Sequence, residues 1–187
     1  MPSHFRGNQN RRARGRENHT FTFEFSDLLV AIYIAIPAYV ANSTPVLLGG
    51  GAPVDRGRDF IDGRRILGSN KTVRGFAYGL LFGSAAALAE AGLFTNPVLV
   101  LAGIVASLGA LLGDLLGAFL KRRLNISPGR SLPLVDQLDF ILGALLLTSP
   151  LVPLTIGAAL ILVIATVPIH LLSNAVAYTL GLKSRFW

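Results

Sequence analysis

Long apolar stretches, broken by short polar ones that gather the charge, set the pattern of this chain. Five apolar stretches lie at about 27–48, 73–92, 97–121, 135–151 and 154–180. Each is near the ~20 residues that carry a helix across the hydrocarbon core of a bilayer, so the pattern predicts about five transmembrane helices. The first holds Pro37 and Pro45, which membrane helices tolerate where neighbouring helices or polar side chains satisfy the freed carbonyls. Its end, Asn42-Ser43-Thr44-Pro45, reads as a polar helix terminus or as a cavity lining. The second is rich in Gly and Ala, as close helix packing requires, and puts Glu90 near its far interface. Asn96-Pro97 is a good opening for the third. His170, in the fifth, fits hydrogen-bonded packing better than chemistry.

Composition agrees. Of 187 residues, 52% are hydrophobic and 14% charged, against about a quarter charged in an ordinary soluble domain; the mean hydropathy is +0.57. The fold class expected is all-α, a polytopic integral membrane protein with two functional cytoplasmic loops. A basic tail at 1–26, expected to be flexible, precedes a single transmembrane catalytic domain at 27–187. The absence of cysteine excludes disulfides and thiolate metal sites. A net charge of +7 would suit nucleic acid, but the cations lie between the apolar runs, where membrane topology accounts for them. No stretch interleaves basic and aromatic residues as a nucleic-acid groove would, so no nucleic-acid partner is expected.

Five spans put three basic segments on one side of the membrane. They hold Arg56, Arg58, Arg64, Arg65, Lys71 and Arg74; then Lys121, Arg122, Arg123 and Arg130; then Lys183 and Arg185. The turns at 92–97 and 149–154 carry no cation. The positive-inside rule makes the basic side cytoplasmic, in the cell membrane, although the arginines of the N-terminal tail pull the other way.

Candidate chemistry gathers on that side. Asp114 lies within the third apolar run, where a lipid-facing carboxylate costs about 2.5–3.5 kcal/mol, so it is expected to face the bundle interior or a hydrated cavity. Lys121, seven residues on, shares its helical face, roughly 10 Å along the axis. Asp136 and Asp139 open the fourth run on one face, a place the helix dipole alone would favour. Oxygen ligands with no His or Cys nearby suit Mg²⁺, which makes Asp114, Asp136 and Asp139 the candidate metal ligands. Beside them Lys121, Arg122 and Arg123 suit a polyphosphate. The long loop at 49–75 adds Asn70, Lys71, Thr72 and Arg74 at a helix start, an arrangement that binds anions.

Together, Asn70-Lys71-Thr72-x-Arg74-Gly75, Gly113-Asp114-x6-Lys121-Arg122 and Asp136-x-x-Asp139 resemble the CDP-lipid synthases, and among these the archaeal CDP-archaeol synthases most. Asn42-x-x-Pro45, Pro53-x-Asp55-x-Gly57-Arg58 and Asp62-Gly63-x-Arg65-x-x-Gly68 extend the likeness over roughly 27–180. The bacterial relatives have a second Lys-Asp pair and a His-Gly-Gly where this chain has Ser127-Pro128 and Ser131-Leu132-Pro133. That departure weakens phosphatidate specificity more than it weakens the metal site.

The resemblance implies a CTP-dependent cytidylyltransferase of membrane phospholipid biosynthesis. The phosphate of an isoprenoid ether glycerol phosphate lipid would attack the α-phosphorus of CTP, giving unsaturated CDP-archaeol and pyrophosphate. It further implies Mg²⁺ on Asp114 and Asp136 with Asp139 assisting, and Lys121, Arg122 and Arg123 on phosphates. Asn70, Lys71, Thr72 and Arg74 would hold the triphosphate, and Asp62 and Arg65 the nucleotide. A homodimer is left open. The nearest alternative is a CDP-diacylglycerol synthase acting on phosphatidate. A CDP-alcohol phosphotransferase is disfavoured because Asp62-Gly63 is followed by Arg64-Arg65 without that family's aspartates. A small transporter built on Asp114 predicts inverted repeats and charge spread through the spans, whereas here charge gathers at one face.

Overall fold

The computed structural model describes residues 25–92, 97–128, 130 and 132–182. Most of the N-terminal tail with its arginines, Ser131, Lys183 and Arg185 lie outside the described residues. Five helices run in the order α1 (Phe25–Leu48), α2 (Val73–Ala91), α3 (Pro97–Arg123), α4 (Val135–Thr148) and α5 (Ile156–Thr179), with no strand among the described residues. Three of them, α1, α3 and α5, are long and apolar enough by themselves to cross a membrane. Glycine and Glu90 dilute α2, and α4 has only 14 residues. That length is about 21 Å, short of a ~30 Å hydrocarbon core. Both of these helices pack on α3.

Small residues set the packing. Ala31, Ala38, Ala102, Ala106, Ala110 and Ala144 surround Ile34, Phe140 and Ile141 in the core, so backbones approach closely, as helices in lipid do. A Cβ on Gly83 would strike Ser107 and Ala41, and one on Gly103 would strike Ala87. Gly109 of α3 meets Gly143 of α4 backbone to backbone. Pro45 has no N–H for the carbonyl of Ala41. Gly79 of α2 sits against that freed oxygen, which lies 2.7 Å from where a Cβ would stand. The polar segment before Pro45 does not end the helix, which runs on to Leu48; within it the Ser43 and Thr44 hydroxyls donate to the carbonyls of Tyr39 and Val40 at 2.8 and 2.7 Å.

Helix direction alternates, so the end of α1, the start of α2, the end of α3 and the start of α4 share one end of the bundle. At the opposite end the Thr155 hydroxyl donates to Asp27, tying α5 to α1. Tyr39 donates to Thr166 at 2.8 Å along the same seam. His170 lies beside Phe140, ring centroids 6.1 Å apart, as a packing residue.

Candidate active site

The loop joining α1 to α2 is folded around Asp55. Its carboxylate has no exposed surface. It accepts from the Arg65 guanidinium at 2.6 and 3.2 Å and from the amides of Gly57, Leu67 and Gly68 at 3.0, 3.0 and 2.9 Å. Gly57 and Gly68, at φ 79° and 110°, take backbone angles that side chains resist. Burial by itself would raise the Asp55 pKa; Arg65 and the three amides outweigh it and hold the carboxyl well below the usual range.

A depressed carboxylate stabilises the fold above its unfolded pKa and loses that contribution as pH falls toward the folded value. Resistance of the 49–72 loop to proteolysis is therefore expected to stay flat from neutral pH to about 4 and to fall only below it. Asp55→Asn should abolish that resistance at neutral pH, because the neutral amide gives up the charge that the Arg65 guanidinium and three backbone amides are arranged around. A loop equally resistant in the variant would contradict this role.

With the loop closed, Thr72 caps α2. Its hydroxyl accepts from Gly75 at 3.1 Å and Gly50 at 3.2 Å, so it serves the helix start rather than projecting toward a ligand. Arg123 fastens the loop to α3. It donates to Asp62 and to the Arg65 carbonyl, both at 2.6 Å, and lies over the rings of Phe60 and Phe119 at 4.8 and 4.9 Å. Arg64 returns a hydrogen bond to the Arg123 carbonyl at 2.6 Å. Asp62, Arg65 and Arg123, expected on sequence grounds to meet the nucleotide, are thus engaged within the protein.

This clamp brings Lys71 to Asp114, with Nζ 2.6 Å from both carboxylate oxygens. A second pair joins α3 to α4: Lys121 Nζ lies 2.6 Å from Asp136, whose other oxygen accepts from the Leu132 amide at 3.0 Å. Asp139 rests on Gly117, where a Cβ would overlap its carboxylate. The charges of Asp114, Lys71 and Asp136 all act on it. Arg122 is 6% exposed, and its Nε and Nη1 have no hydrogen-bond partner. Its Nη1 lies 3.6 Å from the place a Cβ on Gly68 would take.

The loop, α3 and α4 thus gather Lys71, Asp114, Lys121, Arg122, Asp136 and Asp139 at one end. Asn70 and Arg74 are exposed beside them, Arg74 over the Tyr78 ring at 5.7 Å. The aspartates do not form one ligand cluster: among the described residues no three acidic or histidine side chains gather to hold a metal. The physical reason is that the ammonium groups of Lys71 and Lys121 stand against Asp114 and Asp136.

Asp136 is delivered by a strained turn. Leu134 has φ 66° and ψ −45°, and the Val135 amide donates to the Pro133 carbonyl at 2.9 Å, a three-residue turn of the rarer hand. Such backbone costs about 1–3 kcal/mol in a residue with a side chain. Leu134→Gly is expected to leave Tm unchanged or raise it, and Leu134→Val to lower it; the reverse order in thermal unfolding would remove the strain.

Sequence reasoning alone did not select Asp55 as the centre of the loop. Its signal was present as Asp-x-Gly, a side chain bonding its own backbone two residues on. Arg122 stands out in the sequence within Lys121-Arg122-Arg123, but its burial is visible only once the loop brings Gly68 beside it.

The CarS-like CDP-archaeol synthase family model matches residues 25–187. The CDP-archaeol synthase of Methanocaldococcus jannaschii is 41% identical over 172 residues, covering 86% of this chain and 97% of its own. That of Hyperthermus butylicus is 47% identical over 167 residues, covering 85% and 96%. A solved structure, described as an intramembrane enzyme for archaeal membrane lipids biosynthesis, superposes with a TM-score of 0.74 at 45% identity. It covers 78% of this chain and 93% of that one.

Proposed function

The chain belongs to the CDP-archaeol synthase family, and we propose that its charged end is where the cytidylyl group of CTP passes to the lipid phosphate. The family activity is CTP-dependent synthesis of CDP-archaeol for membrane lipids. The observation that supports this location is Arg122, a buried guanidinium with two unpartnered donors at the same end of the bundle as two Lys–Asp pairs. A phosphate supplies the acceptors those donors lack and gives the lysines a second anion.

A lipid phosphate is ionised near neutral pH, so no general base is needed. Its oxygen attacks the α-phosphorus, the bond from that phosphorus to the β-bridging oxygen breaks, and pyrophosphate leaves with the electron pair. Lys71, Lys121 and Arg122 neutralise the charge that spreads over the phosphoryl oxygens. The donors on Asp114, Asp136 and Asp139 are all carboxylate oxygens, and two of these groups already hold a cationic ammonium. Their oxygens are of the type Mg²⁺ takes, but the three do not gather as a ligand set while those ammonium groups stand against them. They would hold the ion once the triphosphate drew the lysines away, and it would then supply further neutralisation of the triphosphate. Asn70, exposed at the loop edge, would meet the triphosphate in this reading. The basic end faces the cytoplasm in this reading, as the positive-inside rule favours.

The test is an assay of purified protein in detergent with labelled CTP, Mg²⁺ and either ether-linked isoprenoid or diacyl glycerol phosphate. Labelled CDP-lipid from the ether substrate is expected. Product from the diacyl lipid alone would transfer the reading to phosphatidate, and product from neither would end it.

A further inference from the structure

We propose that the hairpin at 58–66 carries a membrane-dipping tip, with Ile61 seated at the headgroup–acyl boundary beside α3. The hairpin is rigid. The backbones of Asp59 and Arg65 pair as an isolated antiparallel β-bridge, the Phe60 amide donates to the Arg64 carbonyl at 2.7 Å, and the Gly63 amide donates to the Phe60 carbonyl at 2.9 Å. Gly63, at φ 71°, lets the chain reverse. Its tip displays Ile61, 94% exposed. A single exposed apolar residue is ordinary on a protein surface, so the inference depends on where this one is held.

That place is set by Phe60, whose ring meets Phe119 edge-on, 5.3 Å between centroids. Phe119 lies in the last turns of α3, a helix long and apolar enough to span a membrane. It stands next to the outward stripe of Leu112, Leu116 and Leu120, all exposed in the isolated chain and so facing lipid. Lys121–Arg123, just beyond, mark the polar interface. Ile61 therefore hangs on the lipid side of α3 at headgroup depth. Charge suits that depth: Asp62 is taken up by Arg123 and the charge of exposed Asp59 acts on Arg65, while exposed Arg56 and Arg58 at the base of the hairpin meet lipid phosphates. The occupant is the bilayer itself. Seated there, the tip holds the loop against the membrane whatever reaction the site performs.

The experiment places the chain's single tryptophan at the tip, as Ile61→Trp with Trp187→Phe, in nanodiscs of phosphatidylcholine and phosphatidylglycerol. Acyl chains brominated near the headgroup are expected to quench its emission by about two-fold or more, with little effect of aqueous acrylamide, as for an interfacial apolar anchor. Adding Phe119→Ala should weaken the bromolipid quenching. Strong acrylamide quenching without bromolipid quenching would overturn the proposal. Shielding from both quenchers, with position 61 crosslinking between two copies, would assign the tip to self-association and overturn it equally. Undiminished bromolipid quenching in the Phe119→Ala variant would overturn the anchoring through Phe60.

Discussion

Asp114→Asn is expected to cut Mg²⁺-dependent CTP turnover by about 10²- to 10³-fold, the scale on which a single electrostatic element of an active site acts. The amide keeps the shape of the carboxylate and loses its charge, so Lys71 loses its ion pair. Folding should change little, because α3 is held by its glycine and alanine faces and not by this pair. Insertion, detergent elution and Tm near wild type would therefore accompany the loss. Asp136→Asn should behave alike through Lys121. Near-wild-type turnover in either variant would reject the assignment.

The second large effect is expected at Gly113. A Cβ there would overlap the Asp139 carbonyl and come within 3.0 Å of its carbon, and both are backbone atoms that have nowhere to move. Overpacking of this kind costs about 1–3 kcal/mol, more where the obstacle is backbone. Gly113→Ala should push α4 away from α3 at the level of Asp139, lowering Tm by several degrees and removing activity together. Gly63→Ala is the control, since no atom lies within 4 Å of its added carbon and only its φ of 71° resists. It should cost stability and spare most of the activity. Equal behaviour of the two variants would show that α3–α4 contact does not set the site.

Much of this molecule is legible in its sequence. The five helices begin and end within a few residues of the apolar stretches, since length and hydropathy alone demand them. Lys71, Asp114, Lys121, Arg122, Asp136 and Asp139 were recognisable because carboxylates and cations are expensive near lipid and seldom occur there without work to do. Three features were not legible. Which cation pairs with which anion depends on how the loop closes, and the closing element, Asp55, looked like one of several alternating charges. Lys71's place against Asp114 follows from that closure, and Lys121's place against Asp136 from the packing of α3 on α4. The Gly109, Gly113 and Gly117 series marks a close-packing face by its spacing of four, yet no partner for it can be chosen until α4 is laid across it.

The structure explains why so short a chain keeps so elaborate a loop. Asp55 and Arg123 freeze the segment that presents Lys71, and Gly109 to Gly117 let α4 approach closely enough for Asp136 and Asp139 to share the same end as Asp114. Loop closure and helix packing thus meet at one charged mouth. Equilibrium binding of labelled CTP to purified wild-type, Lys71→Met, Lys121→Met and Arg56→Met proteins tests this most directly. Loss of about ten-fold or more in affinity is expected in both lysine variants, the scale of a charge-assisted phosphate contact, with Arg56→Met unchanged. Undiminished binding in the lysine variants and loss in Arg56→Met would move the nucleotide to the outer face of the loop and contradict the account.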